Sequence, residues 1–252
     1  MSEQQDWRQV AQWLCEAGSA VAFTGAGIST ESGIPDFRSP GGVWSKSQPV
    51  MYDDFLRSAE ARREYWRQKC ESHADFSAAR PNAGHGALAR WEEAGLLWGV
   101  ITQNIDGLHQ DAGSRNVLEL HGTSRAIECL ECHRRYDPGP LVKEFLATGA
   151  VPACDACGGL LKHATISFGQ ALPPEVLEEA ARRSRECGLF LAIGSSLVVE
   201  PAASLPRLAH AAGAKLVIVN RDPTGLDGQA DLVLRGSIGS VLEGVDRLVT
   251  EG

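Results

Sequence analysis

The chain has 252 residues, 43% hydrophobic and 22% charged, and 24 Lys and Arg against 32 Asp and Glu give a net charge of −8. A chain of this length buries a substantial core in one or two domains, and the ordinary composition marks a folded globular protein. The acidic balance argues against nucleic-acid or anionic-membrane binding, and no run nears the ~18 apolar residues of a membrane span.

The N-terminal MSEQQDWRQVAQW has no basic start and no apolar h-region, so the chain is expected to be cytoplasmic. Asp6 to Ala17 places Trp7, Val10, Trp13, Leu14 and Ala17 at helical spacing and stops at Gly18, which predicts a first helix. A short strand, Ala20 to Thr24, then runs into Gly25-Ala26-Gly27-Ile28-Ser29-Thr30. A strand, a glycine turn and a helix start let backbone amides approach a pyrophosphate, because glycine has no Cβ and the helix end carries partial positive charge. Thr30 stands where the dinucleotide fingerprint has its third glycine, so an ordinary tight turn stays open here. Ser32 to Gly42 reads as a loop, and its Phe37 and Arg38 suit a lid over a ring and an anion or, equally, a plain surface loop.

Tyr52 to Glu71 is predicted helical through Phe55, Leu56, Ala59, Tyr65 and Trp66. Asn82 to Glu93 resumes an amphipathic helix after Pro81, with His85 read as a packing or capping residue. Leu96 to Ile101 predicts a buried strand, and just past it Thr102 to Gly122 gathers Gln103, Asn104, Asp106, His109 and His121. Polar side chains at the carboxyl end of a buried strand are where open α/β sheets hold ligands. The stretch contains no Cys and no hydroxyl beside an obvious base. It reads as a site that orients a ligand and moves a proton while a cofactor supplies the electrophile.

Composition changes over Thr123 to Leu161. Cys129 and Cys132 form one C-x2-C pair, Cys154 and Cys157 another, with twenty-one residues between them. Four thiolates at that spacing suit a closed tetrahedral Zn2+ site, which is structural because it leaves no open position. The segment is expected to be a zinc-stapled insert without a hydrophobic core of its own. Cys15, Cys70 and Cys187 complete an odd total of seven, which argues against a disulfide framework, and are expected as small buried side chains.

Beyond Leu161, strands are predicted at Thr165 to Phe168, Gly188 to Ile193, Lys215 to Val219 and Asp231 to Leu234. Helices are predicted at Pro174 to Arg185, Ser204 to Ala212 and Ser240 to Val249. This alternation implies a Rossmann-like α/β fold, a mainly parallel sheet with helices on both faces. Gly194-Ser195-Ser196 and Asn220-Arg221-Asp222 follow two of the strands and strengthen the dinucleotide reading.

TGAGIS (24–29), PDFRS (35–39), TQNIDGLH (102–109), His121-Gly122, the two cysteine pairs, Phe168-Gly169, GSSL (194–197) and Val219-Asn220 occur in this order. The set resembles the sirtuins, NAD-dependent protein-lysine deacylases, over essentially the whole chain, and a bacterial-type member in particular. The resemblance implies one catalytic domain over 1–252. Its Rossmann-like large lobe would span about 1–38, 82–123 and 162–252, and its small lobe a helical insertion at about 39–81 and the zinc module at about 124–161. It implies NAD and one structural Zn2+ as cofactors, and an acylated-lysine protein or peptide as substrate.

Carried over position by position, the resemblance puts Gly25, Ala26, Gly27 and Ser29 along the pyrophosphate, with Ile28 beside them, and Phe37 and Arg38 in a mobile cofactor loop. Gln103 would lie near the nicotinamide-side ribose, with Asn104, Ile105 and Asp106 around the nicotinamide. Gly194, Ser195, Ser196, Asn220, Asp222 and Ile238 would hold the adenosine half. His121 would be the general base, and Asn104 and Asp106 complete the catalytic set. In the family's reaction the acyl-lysine carbonyl oxygen displaces nicotinamide from the ribose, and the base then deprotonates an attacking ribose hydroxyl. The ordinary histidine pKa of about 6.5 leaves a neutral imidazole for that role.

Lys162-His163-Ala164 stands where the family commonly has Arg-Pro-Asp, and Gln170 replaces its usual acid, which leaves peptide preference open. Tyr65 is followed by Gln68 where desuccinylating members carry Arg, which argues against succinyl groups and leaves acetyl or longer chains. A mono-ADP-ribosyltransferase using the same cofactor site and a non-catalytic NAD- or zinc-binding interaction module are the other two readings. Metal analysis of the purified protein is expected to find about one zinc per chain, and a zinc-free chain with intact folding would overturn the structural role.

Overall fold

The computed structural model describes residues 3–36, 42 and 48–250, so Phe37 and Arg38 lie outside the described residues. In chain order the strands are β1 (Ala20–Thr24), β2 (Leu97–Thr102), β3 (Val117–Glu119), β4 (Gly122–Cys129), β5 (Arg135–Tyr136), β6 (Leu161–Thr165), β7 (Leu189–Ile193), β8 (Lys215–Val219) and β9 (Leu232–Leu234). The helices are α1 (Glu3–Glu16), α2 (Tyr52–Arg57), α3 (Ala59–Ala78), α4 (Ala83–Glu93), α5 (Leu108–Asp111), α6 (Pro138–Thr148), α7 (Pro174–Glu186), α8 (Leu205–Ala211) and α9 (Ile238–Thr250).

Among the described residues one sheet has six parallel strands in the order β3-β2-β1-β7-β8-β9. Side-chain alternation splits its core into two layers. Ala20, Ala22, Leu189, Leu191, Val217 and Val219 pack with α1, α4 and α9 on one face. Val21, Phe23, Phe190, Ala192, Leu216 and Ile218 pack with α7 and α8 on the other. With both faces covered, β1 and β7 are buried at every residue, which is why they read as unbroken apolar runs. Asp246 on α9 ties this layer together, accepting from Arg90 Nε at 2.9 Å and from Trp91 Nε1 at 2.9 Å on α4.

Strands β5, β4 and β6 form a second, antiparallel sheet beside the first. Phe55, Tyr65 and Trp66 of α2 and α3 share one apolar cluster with Ile127, Val142, Phe145, Leu161 and the buried Cys129 and Cys154. The cysteine-bearing segment, which includes helix α6, thus shares its core with the helical insertion that closes over it. Trp66 fastens the two parts, donating from Nε1 to the Leu161 carbonyl at 3.2 Å.

Three local expectations are corrected. The helix expected over Tyr52 to Glu71 is two helices, because Ser58 adopts an extended backbone and caps α3 by accepting from Ala61 N at 3.2 Å. The strand expected at Thr165 to Phe168 lies at Leu161–Thr165, paired with β4; its Lys162 and His163 hid it from an apolar pattern. Cys15 is exposed, because α1 buries Val10, Ala11 and Leu14 instead. Replacing Trp66 with Ala is expected to lower stability by about 3–5 kcal/mol in chemical unfolding, and to weaken zinc retention in a chelator competition, since both rest on one core.

Candidate active site

The order of the parallel strands reverses between β1 and β7, and the carboxyl ends of these two strands open the crevice where such sheets hold ligands. Gly25 N donates to the Ile193 carbonyl at 3.0 Å and Gly27 N to the Gly194 carbonyl at 2.8 Å. The contact is backbone on backbone: a Cβ on Gly27 would lie 2.8 Å from Gly194 Cα. Gly194 itself has φ +64, a left-handed conformation that favours glycine. The turn at 26–32 is a short 3-10 helix closed by Gly33.

A cleft of about 1780 Å³ follows from this junction. Gly25, Ala26, Gly27, Gln103, Asn104, Ile105, Asp106 and His121 line it. So do Gly194, Ser195, Ser196, Asn220, Asp222 and Ile238. Ile28 and Ser29 are buried behind this wall, Ile28 in the apolar layer with α4 and α9. The sequence reading missed several lining residues, among them Glu31 and Arg125. Glu31 Oε1 accepts from Ser237 Oγ at 3.0 Å and from Gly239 N at 2.9 Å at the start of α9. No local pattern in the sequence announces that contact across two hundred residues.

The loop after β2 is fixed side chain by side chain. Gln103 Nε2 donates to Ser195 Oγ at 3.0 Å, joining the ends of β2 and β7. Asn104 Nδ2 donates to the Gly25 carbonyl at 3.1 Å and Ser29 Oγ at 3.2 Å. The buried Asp106 accepts from Ser29 Oγ at 2.7 Å and from Leu108 N at 2.9 Å. Below the loop, Thr24 Oγ1 donates to Thr102 Oγ1 at 2.8 Å, so its lone proton is used and His109 Nε2, 2.9 Å away, is the donor to it. His109 is therefore structural, and His85 beside it completes a capping box with Asn82.

His121 Nδ1 lies 3.0 Å from the Gln103 carbonyl oxygen. A carbonyl only accepts, so Nδ1 carries the proton and Nε2 is left as a proton acceptor. Burial lowers the His121 pKa from its ordinary value, partly offset by the Gln103 carbonyl, which keeps the ring neutral at physiological pH. The cleft thus joins an imidazole with a free proton-accepting Nε2 to a row of amide and carboxylate groups.

At the far side of the small sheet the Sγ atoms of Cys129, Cys132, Cys154 and Cys157 all lie within 4.8 Å of one another. Cys129–Cys157 and Cys132–Cys154 are separated by 3.5 and 3.6 Å. Zn–S bonds of about 2.3 Å in a tetrahedron place sulfurs about 3.8 Å apart, so the donor set and its spacing fit zinc.

The sheet order and the cleft at its switch point define a doubly wound dinucleotide-binding protein with a small, metal-ready lobe. A family model described as the Sir2 family matches residues 25–201, and the chain belongs to that family, the sirtuins. It is 49% identical over 236 residues to an NAD-dependent protein deacetylase of Rhodopseudomonas palustris, covering 93% of each chain. A solved structure described under the mechanism and regulation of Sir2 enzymes matches with a TM-score of 0.88 at 43% identity, covering 98% of this chain and 99% of that one. A second, a Sir2 protein with a deacetylated p53 peptide and 3'-O-acetyl ADP-ribose, matches with a TM-score of 0.88 at 38% identity and 98% coverage of both.

Buried histidines set an acid limit on this architecture. Burial pushes His85 down to about 4, and His109 and His163 down to about 3, against about 6.5 when unfolded. The unfolded chain therefore binds more protons below pH ~6.5, and stability is lost as pH falls from there towards the folded values. Each such group contributes a slope of up to about 1.4 kcal/mol per pH unit. Unfolding free energies measured between pH 6.5 and 4.5 are expected to fall less steeply in His163→Leu than in the parent chain.

Proposed function

We propose that the cleft is the active site of an NAD-dependent protein-lysine deacylase that acts on acylated-lysine proteins or peptides and releases nicotinamide. The observation that carries this reading is His121, held by the Gln103 carbonyl as an Nε2 base in a cleft whose described lining contains no cysteine. Bound NAD supplies the electrophilic ribose carbon and the hydroxyl that finally takes the acyl group. The chain's task is then to orient and to move one proton, which matches what the residues offer.

In this reading Gly25, Ala26 and Gly27 receive the pyrophosphate, their bare backbone admitting close approach. Gln103, pinned to Ser195, borders the nicotinamide-side ribose. Asn104, Ile105 and Asp106 border the nicotinamide, their positions set by Gly25, Ser29 and Leu108. Gly194, Ser195, Ser196, Asn220, Asp222 and Ile238 border the adenosine half. Phe37 and Arg38 belong to the cofactor loop, and Ile28 and Ser29 support the turn from behind. His121 takes the proton of the ribose hydroxyl at Nε2.

Cys129, Cys132, Cys154 and Cys157 hold one zinc that stabilises the small lobe. The lobes divide at about 38, 82, 123 and 162, the small lobe comprising 39–81 and 124–161. No helix of the described residues is long and apolar enough to cross a membrane, in keeping with action in the cytoplasm.

The purified chain is expected to remove acetyl from a lysine peptide only when NAD is present, with nicotinamide and O-acyl-ADP-ribose appearing by mass. Transfer of label from NAD onto protein without any deacylation would instead support an ADP-ribosyltransferase. His121→Ala is expected to reduce turnover by about a hundredfold to ten-thousandfold with an unchanged melting temperature. The acidic limb of kcat/KM is expected below pH ~6.5, because burial lowers the pKa of the base. A variant at His121 with full activity would remove it as the base.

A further inference from the structure

Strand β4 leaves its ladder just where it passes the loop after β2. It pairs with β6 at Gly122 opposite Thr165 and next at Ile127 opposite His163, so β4 advances from 122 to 127 while β6 moves only from 165 to 163. Such a bulge beside a site re-aims side chains. Here the irregular stretch holds Ser124 and Arg125 against the loop. Ser124 N and Oγ donate to the Ile105 carbonyl at 2.8 and 2.7 Å, and Arg125 Nε donates to the Asp106 carbonyl at 2.8 Å.

Arg125 uses its whole fork. While Nε holds the loop, Nη1 donates to Asp111 Oδ1 at 2.9 Å and Nη2 donates to Asp111 Oδ2, at the end of α5. A planar guanidinium bonded on two sides keeps one orientation, which the point charge of a lysine does not reproduce. The fork lies against Gly107, whose φ of +71 favours glycine and where a Cβ would overlap Nε. Asp106 is therefore fixed from two sides. Its carbonyl faces Arg125, and its buried carboxylate accepts from Ser29 Oγ at 2.7 Å and from Leu108 N at 2.9 Å.

Folding gains little from this pair. The side chains of Arg125 and Asp111 are 45% and 38% exposed, and ion pairs that open to solvent contribute little to stability. Geometry gains more. Both residues line the cleft, and a shift of the Asp106 carbonyl carries the carboxylate of the same residue with it.

We propose that Arg125, oriented by Asp111, is a positioning residue for the nicotinamide side of the cleft, acting through the Asp106–Gly107 peptide on the Asp106 carboxylate. The proposal rests on the deacylase reading of the cleft. The residues assigned there to the adenosine half, Gly194 to Ser196 and Asn220, follow β7 and β8, away from the clamp between β4 and α5. The two halves of NAD therefore respond differently to its loss.

The test compares the parent chain with Arg125→Met, Arg125→Lys, Asp111→Ala and the double variant Arg125→Met/Asp111→Ala. Each is measured in NAD-dependent deacetylation of one acetyl-lysine peptide, in calorimetric binding of ADP-ribose and in thermal melting. ADP-ribose keeps the pyrophosphate and adenosine and lacks nicotinamide. Arg125→Met is expected to lower kcat by about tenfold to a hundredfold, the scale of a displaced site group. Its nicotinamide inhibition constant is expected to rise, while ADP-ribose affinity and melting temperature stay at the parental values. Arg125→Lys is expected to recover part of the rate, and Asp111→Ala to lose a smaller part. The double variant is expected to be no slower than Arg125→Met, because Asp111 acts only through the fork. A parental kcat in Arg125→Met overturns the proposal. So does a loss matched by weaker ADP-ribose binding or a lower melting temperature, which marks a structural role, and so does a double variant slowed by the product of both single effects. A parent chain that binds ADP-ribose yet removes no acetyl with NAD overturns the deacylase reading as well.

Discussion

The site depends on two glycine turns that touch through bare backbone. The turn after β1 and the turn after β7 meet at the point where strand order reverses, and their hydrogen bonds run from Gly25 N to Ile193 and from Gly27 N to Gly194. A side chain at either surface would hold the strand ends apart, since a Cβ on Gly25 would lie 2.7 Å from the Gly194 oxygen. Close approach leaves the backbone of both turns on the wall of the cleft. It also brings Ser195 within reach of Gln103, so the position of the polar loop follows from the same contact.

That loop is gripped from behind by the strand that leads into the small sheet. His121 holds the Gln103 carbonyl, Ser124 holds the Ile105 carbonyl through both N at 2.8 Å and Oγ at 2.7 Å, and Arg125 Nε holds the Asp106 carbonyl at 2.8 Å. Arg125 also grips both carboxylate oxygens of Asp111 and lies over Gly107, where a Cβ would meet its Nε at 2.3 Å. An exposed ion pair alone contributes little to stability. Here its effect is geometric, because it fixes carbonyls whose side chains face the cleft.

The small sheet and its turns carry the cysteines and, through Trp66 and Leu161, the sheet packs against helices α2 and α3. A zinc at the four sulfurs would therefore stabilise more than its own loop. The same shared core sets Tyr65 of α3 beside His163 of β6, so one packing arrangement links the cysteine cluster to the wall of the cleft.

Most of the main sheet was legible because both of its faces are covered, and doubly buried strands such as Ala20–Thr24 and Leu189–Ile193 announce themselves as short apolar runs. The cysteine spacing and the polar residues from Gln103 to His121 were legible because their chemistry is local in sequence. Hidden features were those decided by partners far along the chain. Leu161–Thr165 became a strand only by pairing with β4, and Ser58 divided a helix through its own cap. The sequence alone determined the apolar strands β1, β2, β7, β8 and β9 of the main sheet, the metal-ligand set and the identity of the candidate base. Tertiary structure alone decided the tautomer of His121 and the grip of Arg125, because each depends on which backbone carbonyl or carboxylate another segment brings within about 3 Å.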